Sequence, residues 1–169
     1  MIQNININGA NVSAELHAYM YQNMLGYSGV FNYGNKLQHE IISNNEIKIK
    51  DGLLISQGRL MRIVNSESVL IENGQSGVNR CDLIVVHFET DGIKETHDIR
   101  VITGTSENEP EYTTGNTFDG DNVNEFPLYA VHLEGLNITR VDTKFNIIKS
   151  ANDMLESYLI ESDIDDIII

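Results

Sequence analysis

Cysteine, proline, tryptophan and basic residues are all scarce in this sequence. Its 169 residues include one cysteine, two prolines and no tryptophan. The single cysteine, Cys81, excludes a disulfide bond within the chain, and its place in an apolar run predicts a buried, inert thiol. With so little proline, we expect glycine, asparagine and aspartate to form the turns. No segment approaches the roughly 20 apolar residues of a membrane-spanning helix.

Positive charge is particularly low. Eleven basic side chains stand against twenty-five acidic ones, and the formal net charge at pH 7 is −14. Nucleic acids and anionic membranes are bound by lysine and arginine, because these side chains neutralise phosphate. The charge therefore argues against nucleic acid and membrane as partners. Residues 1–8 contain neither the basic nor the apolar region of a signal peptide, so we expect folding in a reducing cytoplasm.

Local signals predict a short helix near the N-terminus. Ser13 is a favourable N-cap and Gly26 follows the last periodic residue, so the helix is expected to span about residues 13–25. We expect its apolar stripe to pack on a sheet. The stripe consists of Leu16, Tyr19, Met20, Asn23 and Met24. Before the helix, isoleucines among polar residues in segment 2–7 indicate a short edge strand.

From residue 41 onward, short apolar segments are separated by turn signals, which is typical of antiparallel strands. The predicted strands lie at 46–50, 53–56, 59–64, 68–72, 81–89 and 94–103, with later ones between 126 and 148. Repeated hairpins predict a mainly β fold, an antiparallel sandwich or small barrel with a short helix near each end. We expect a β-rich assembly domain at residues 1–149, followed by a docking helix or tail at residues 150–169.

Two-residue turns would fix the strand register. A turn at 51–52 places Ile49 opposite Leu54, and a turn at 57–58 places Leu54 opposite Met61. The predicted core face then carries Ile47, Ile49, Leu54, Met61 and Ile63. The opposite, mixed face carries Lys48, Lys50, Leu53, Ile55, Leu60, Arg62 and Val64. This second face is more apolar than a wet surface requires, so it is a candidate interface.

The segment 81–89 is apolar on both faces, which predicts a central strand covered on both sides. One sheet and one helix cannot supply both covers, so we expect loops or another subunit to provide the second. Arg80 and Asp82 lie on one face of this strand, and we expect them to form an ion pair or Asp82 to bind turn amides. The polar stretch 103–126 contains six carboxylates and no basic residue. A loop of this length is usually functional or partly disordered.

The histidines do not indicate a metal site. A two-residue turn at 91–92 would place His87 opposite Thr96 and His97 opposite Val86. The two imidazoles would then project from opposite faces and could not share a tetrahedral ion.

The carboxylates do not indicate a catalytic or calcium site either. In segment 119–125, Val123 and Asn124 stand where a calcium loop requires an oxygen ligand and a glycine. The carboxylates of 103–126 have no apolar neighbours in sequence that would raise the pKa of a general acid. We therefore expect neither enzymatic activity nor a metal or cofactor.

The last twenty residues combine a helical pattern with an isoleucine-rich end. An isolated terminus that exposed these apolar side chains would be unfavourable, so we expect this segment to dock on its own body or on a neighbour. The candidate interface residues are Met154, Leu155, Tyr158, Leu159, Ile164, Ile167, Ile168 and Ile169.

Six phrases in fixed order resemble one family of proteins. They are Gly29-Val30-Phe31, Ile47-Lys48-Ile49-Lys50-Asp51-Gly52-Leu53, Glu72-Asn73-Gly74-Gln75-Ser76-Gly77, Asn79-Arg80-Cys81-Asp82-Leu83-Ile84-Val85, Thr103-Gly104-Thr105 and Phe126-Pro127-Leu128-Tyr129-Ala130-Val131. Together they resemble a domain of tail, baseplate or fibre-attachment proteins in phages of Gram-positive bacteria and in phage-tail-like bacteriocins. The resemblance covers about residues 16 to 150 and brings no catalytic residues with it.

The resemblance implies a β-rich, oligomeric particle component that links a tail tip to receptor-binding parts without a cofactor. Two departures matter. The sequence stops near residue 169, so we expect no long fibre shaft or receptor-binding tip, and the segment after Thr105 is acidic rather than rich in proline and alanine. Both favour an adaptor over direct host recognition. We expect a homotrimer, made in a bacterial cytoplasm and located in a virion or phage-tail-like particle, whose partners are its own copies and other baseplate proteins.

Two alternatives stay open. The chain could be a receptor- or carbohydrate-binding module that uses Tyr112, Phe118 and the loop 103–126. It could also be a cell-wall hydrolase that uses carboxylates of the same loop, such as Glu111 and Asp119. Host surface glycan would be the ligand in the first case, and a cell-wall polymer would be the substrate in the second.

Overall fold

The computed structural model describes residues 12–150 and 154–156, which form a mainly β fold of two curled sheets. The elements in chain order are α1 (Ala14–Leu25), β1 (Gly29–Phe31), β2 (His39–Ser43), β3 (Glu46–Ser56), β4 (Arg59–Leu70), β5 (Asn79–Thr90), β6 (Glu95–Ile102), β7 (Val123–Glu134), β8 (Asn137–Thr143) and β9 (Ile147–Ile148). The sheets form a half-barrel with a sandwich-like arrangement, which confirms the predicted fold class. The predicted edge strand in segment 2–7 lies outside the described residues.

The long strand β3 organises the first sheet. It pairs with β4 along one side, and with β2 and then β1 along the other, all antiparallel. β9 pairs with β1 in parallel at the margin. The second sheet has the antiparallel order β6-β5-β7-β8. Pro127, which cannot donate a hydrogen bond, lies beside a register shift in β7, where a strand tolerates proline.

The hydrophobic core lies between the two sheets, because alternate side chains of each strand point inward. Its buried members are Val30, Leu37, Ile47, Ile49, Leu54, Ile63, Val69, Ile71, Ile84, Val86, Leu128, Tyr129, Val131 and Leu133. The predicted core face of β3 and β4 is confirmed: four of its five residues are in this cluster, and Met61 packs against it half-buried. Tyr129 donates its hydroxyl hydrogen to the carbonyl of Leu37.

The predicted hairpin at Asp51-Gly52 is wrong, since β3 runs through it as one strand with a register shift between Lys50 and Gly52. Ile49 therefore lies opposite Glu67 and His39, not opposite Leu54. A Cβ at Gly52 would lie 2.7 Å from the backbone nitrogen of Leu37, so the glycine permits a close approach of two chains.

The hairpin at Gln57-Gly58 is confirmed. Both residues have positive φ, 46° and 72°, as a type I′ turn requires, and Leu54 lies opposite Met61.

The predicted β5–β6 register is also wrong. His87 lies opposite Asp98, and His97 lies opposite Phe88. The connection has four residues instead of two, because the Asp91 carboxylate accepts the N–H groups of Ile93 (2.8 Å) and Lys94 (2.7 Å) and stabilises a wider turn. Residues directly opposite share a face, so the two histidines still project from opposite sides of the sheet.

β5 is the central strand that the sequence predicts, with residues 81–88 all buried. On its outer face, Cys81, Leu83 and Val85 form a second, small cluster with Ala130 of the neighbouring strand β7. The polar segment 103–122 covers this face: Ser106 accepts the N–H of Cys81 (2.8 Å), and Thr113 accepts the N–H of Glu125 on β7 (2.8 Å). Both covers of β5 thus come from one chain, and its burial carries no argument for a second subunit.

The helix begins and ends as predicted, but the predicted apolar stripe is not the side that packs on the body of the protein. Ser13 caps Leu16, and Gly26 ends the helix in the left-handed conformation. Ala18, 1% exposed, is the buried residue of α1, and it lies so close to Gly58 that a Cβ there would overlap its carbonyl. The predicted packing of the apolar stripe on a sheet is wrong, because Met20 and Met24 remain 49% and 73% exposed.

Candidate functional site

The two sheets leave a groove between β4 and β6. Within residues 12–150, β4 pairs with β3 alone and β6 with β5 alone, so each strand presents a free edge. Arg59 of β4 closes one end of the groove through Glu95 of β6, with nitrogen–oxygen distances of 3.1 and 2.7 Å. The Arg59 guanidinium also lies 4.6 Å from the ring centroid of Phe88. Beyond this clamp an open groove of about 920 Å³ lies between the two strands.

The floor of the groove is apolar and incompletely covered. Met61, Ile99 and Val101 point toward the core but remain half-buried, unlike the inward residues of β3 and β5. His97 lies on the same floor with its ring 5.1 Å from that of Phe88. Burial, with the charge of Arg59 as the second cause, lowers the pKa of His97, so this side chain is neutral at pH 7.

The rim of the groove is polar and carries charges of both signs. On β4, Arg62 donates to the Tyr33 hydroxyl at 3.1 Å. On β6, the Nε of Arg100 donates to Asp98 at 3.0 Å. Glu67 adds a carboxylate at an inward position of β4, opposite buried Ile49. An inward charge on an edge strand hinders indiscriminate pairing with other strands.

The groove combines two features that extended peptides use for binding. The free edges carry backbone N–H and C=O groups that a further strand can pair with, and the floor offers sites for alternate apolar side chains. Residues 61–70 of β4 would span about 30 Å at the usual strand rise of roughly 3.3 Å per residue. The site is therefore suited to an extended segment and lacks the enclosure of a small-molecule cavity.

The C-terminal candidate residues are only partly described. Residues 154–156 form a helical turn, where Met154 is 43% and Leu155 63% exposed. Neither residue lines the groove. The other six candidates, in the segment 158–169, lie outside the described residues, so docking of this segment stays a prediction.

The acidic residues of segment 103–122 anchor that segment to the second sheet. Glu109 binds Lys144 of the chain following β8 at 2.8 Å, and Glu107 accepts a hydrogen bond from Asn79 at 2.8 Å. Asp119 and Asp121 both bind Asn116, at 2.6 and 2.7 Å, within the segment itself. Glu107 and Glu109 thus have separate partners, whereas Asp119 and Asp121 share Asn116.

Glu125 is the most buried carboxylate among these anchors, with a side chain 10% exposed. It accepts the N–H of Thr113 at 2.7 Å and lies 3.0 Å from Nδ1 of His87. Burial alone would raise the pKa of Glu125, but these contacts outweigh it and lower the pKa. A carboxylate held in its ionised form is a poor general acid.

The predicted ion pair of Arg80 and Asp82 is confirmed, and so is the predicted bond to an amide. The Asp82 side chain is fully buried and accepts Nε of Arg80 at 2.9 Å and the N–H of Gly104 at 2.9 Å. Arg80 also donates to the carbonyls of Glu72 and Asn73. The pair joins three chain segments and serves the fold.

Cys81 has the environment of a structural thiol. Burial first, and then the negative charge of Glu109, raise its pKa to about 11. His132 lies 4.0 Å from the sulfur, but its Nε2 also lies 3.0 Å from Asp142. At pH 7 the thiolate is too scarce for a nucleophile.

Phe118 and Tyr112, the two aromatic residues that a glycan-binding module would use, lie in different surroundings. The ring of Phe118 packs against that of Tyr19 at a tilt of 40°, with centroids 4.6 Å apart, and the Arg59 guanidinium lies 5.9 Å from the centroid of the Phe118 ring. Tyr112 is 38% exposed. Phe118 therefore holds the segment 113–118 against the helix, and its ring face is not free to stack on a sugar.

Among the described residues, no group of three or more histidine, cysteine or acidic side chains could hold a metal ion. None of the helices found there has the length and apolar character needed to cross a membrane.

Comparison with known proteins leaves the family open. No protein-family model matches the chain, and a search of curated proteins finds no match. The phrases that carry the resemblance coincide with close backbone contacts: a Cβ at Gly104 would overlap the carbonyl of Cys81, and one at Gly74 the carbonyl of Gly135. Close packing of this fold therefore requires glycine at both positions, and neither glycine lines the groove.

Proposed function

We propose that the protein is a structural component of a phage or phage-tail-like particle, an adaptor that joins the baseplate to fibre or receptor-binding parts. The observation that carries the proposal is the groove between the free edges of β4 and β6. The sequence resemblance supplies the particle context, and the geometry supplies a surface by which such an adaptor would hold a neighbour.

The occupant of the groove is an extended segment of another particle protein. Its backbone pairs with β4 or β6, and its alternate apolar side chains cover Met61, Ile99 and Val101. Each apolar side chain of the segment that is fully buried in this way contributes up to about 1.5–3 kcal/mol before the entropic cost of association is subtracted. Glu67 opposes a partner with a carboxylate at the matching position.

A location experiment tests the particle context. Particles sedimented from the cells that produce the chain are analysed by mass spectrometry, and the chain is expected in the tail fraction at a fixed ratio to the other tail proteins. Recovery of the chain only among free proteins, while intact particles sediment without it, would refute the proposal.

A substitution experiment tests the groove itself. Ile99→Thr together with Val101→Thr makes the floor polar, whereas Ile93→Thr together with Leu136→Thr changes two exposed residues outside it, 96% and 57% exposed. The first pair should prevent incorporation of the chain into particles and the second should not. Circular dichroism checks that both variants fold. Equal incorporation of both would remove the groove as the docking site.

A further inference from the structure

The two free edges of the groove run in the same direction. β4 begins at Arg59 and β6 at Glu95, the two residues that form the clamp, and both strands lead away from it. A chain that runs along the groove toward the clamp would therefore be antiparallel to either edge. Antiparallel pairing is slightly more stable per residue than parallel pairing, and β4 and β6 already pair in this way with β3 and β5. The groove thus favours an added strand that runs toward the clamp.

The residues that precede α1 reach the clamp end of the groove. Ala18 lies against Gly58, in the turn before β4, and the groove starts three residues later at Met61. Along this path, Ser13 is at most about 22 Å from Met61. The chain from Ile2 to Ser13 spans about 36 Å when extended at roughly 3.3 Å per residue, so several of its residues can enter the groove. Because this chain continues into α1, it would run toward the clamp.

The sequence of this segment suits an added strand with one apolar face. In an extended chain, Ile5 and Ile7 lie on one face, whereas Asn4, Asn6 and Asn8 lie on the other. The isoleucine face matches the half-buried apolar floor of the groove, and the asparagine face would meet water. The alternation therefore fits a groove with one apolar and one open side.

Charge distinguishes this segment from the one that follows residue 156. Glu67 and Asp98 line the groove together with Arg62, so carboxylates predominate there. The segment 2–11 contains no charged side chain, whereas the segment 157–169 contains four acidic residues and no basic one. The acidic segment would bring like charges together in the groove, which opposes binding. Of these two segments, the uncharged one is the better occupant.

We infer that residues 2–8 add a strand to the free edge of β4 in the same chain, with Ile5 and Ile7 on the floor at the clamp end of the groove. β4 is the nearer edge, because α1 rests on the turn before it. The short tether to α1 gives an effective concentration on the order of millimolar, so weak pairing suffices. The inference rests on the proposed function only in taking the groove as a site for an added strand, and a partner segment would displace residues 2–8.

Amide hydrogen exchange of the isolated chain tests the added strand. Ser56 and Arg59 pair across a two-residue turn, so Leu60 and Arg62 direct their N–H groups away from β3. An added strand would accept hydrogen bonds from this edge and slow the exchange of these amides. We therefore expect slower exchange at Leu60 and Arg62 in the full chain than in a chain that lacks residues 2–8.

Paired variants separate the two faces of the segment. Ile5→Asn with Ile7→Asn removes the apolar face and should speed exchange at the β4 edge at least about threefold. The control, Asn4→Ser with Asn6→Ser, changes the other face and should leave exchange nearly unchanged. Equal exchange in the full chain, the truncated chain and both variants would overturn the inference.

Disulfide crosslinking identifies whose groove the segment enters. Ile5→Cys with Ile99→Cys should form a disulfide within one chain, at a rate independent of protein concentration. Ile5→Cys with Ile93→Cys should form few, although Ile93 is 96% exposed, and the natural Cys81 is buried and does not compete. Disulfide-linked dimers alone would assign the segment to the groove of a neighbouring copy, and equal crosslinking at positions 93 and 99 would mean random collision. Either result would overturn the inference, and since both experiments use the isolated chain, their failure would leave the particle role to its own tests.

Discussion

Replacing Asp82 with alanine should destabilise the fold by about 3–5 kcal/mol, the usual cost of removing one partner of a buried ion pair. The substitution leaves the Arg80 guanidinium, 11% exposed, without its carboxylate. It also leaves the N–H of Gly104 without its acceptor, 2.9 Å away in the native fold. Since domains of this size are stable by only about 5–15 kcal/mol, at least about a fifth of the total is at stake.

Equilibrium unfolding in urea, followed by far-UV circular dichroism, measures this loss. Removal of both charges, by Arg80→Met with Asp82→Leu, should cost less than the single change, because no charge is then buried alone. The coupling between the two positions should exceed about 1.5 kcal/mol in the double-mutant cycle. A loss below about 1 kcal/mol for Asp82→Ala, or a double variant as unstable as the single one, would refute the reasoning.

Three further outcomes follow from the structure. Gly104→Ala should destabilise the fold by more than about 2 kcal/mol because its Cβ would overlap the carbonyl of Cys81, whereas Gly92→Ala meets no atom within 4 Å and should cost about 1 kcal/mol for its left-handed conformation. The pKa of Glu125 is lowered on folding, so its ionised side chain stabilises the fold fully above pH 4.5, and this stabilisation is lost as pH falls through the folded pKa. Glu125→Gln should therefore reduce the loss of stability that the protein shows in acid. Deletion of residues 150–169 should leave the β domain folded, because β9 ends at Ile148, but should impair assembly.

Each of these three predictions would be contradicted by a specific result. Equal losses of stability in the Gly104→Ala and Gly92→Ala variants would mean that segment 103–122 is not closely packed against β5. An unchanged acid profile after Glu125→Gln would mean that this carboxylate does not hold Thr113. Light scattering that shows unchanged assembly after the deletion would remove the C-terminal segment as a docking element.

Local chemistry explains what the sequence could predict. The bounds of α1 follow from Ser13 and Gly26. Gln57 and Gly58 both adopt positive φ, so they form the two-residue turn that the sequence predicts. The core face of β3 was predicted correctly despite a wrong turn, because a bulge at Asp51-Gly52 keeps Ile49 and Leu54 on one side of the sheet. Aspartate and glycine suit a bulge as well as a hairpin, so their sequence does not separate the two.

Non-local pairing explains what the sequence could not predict. The apolar stripe of α1 indicates that one side seeks cover, but not whether its own sheet or another molecule provides it. The groove depends on which edges remain unpaired after the nine strands of the described residues have been arranged, and no single segment encodes that. One signal was present: Glu67 occupies an inward position of β4, which is typical of an edge strand.

Amide hydrogen exchange tests the docking role of the groove most directly. The chain is compared in isolation and in the complex purified with it from the cells that produce it. Occupation of the groove predicts slower exchange at residues 61–70 and 97–101 in the complex, with exchange at the Ile93 turn unchanged. Exchange that is equally fast at both edges in the two states, or the absence of any complex, would contradict it.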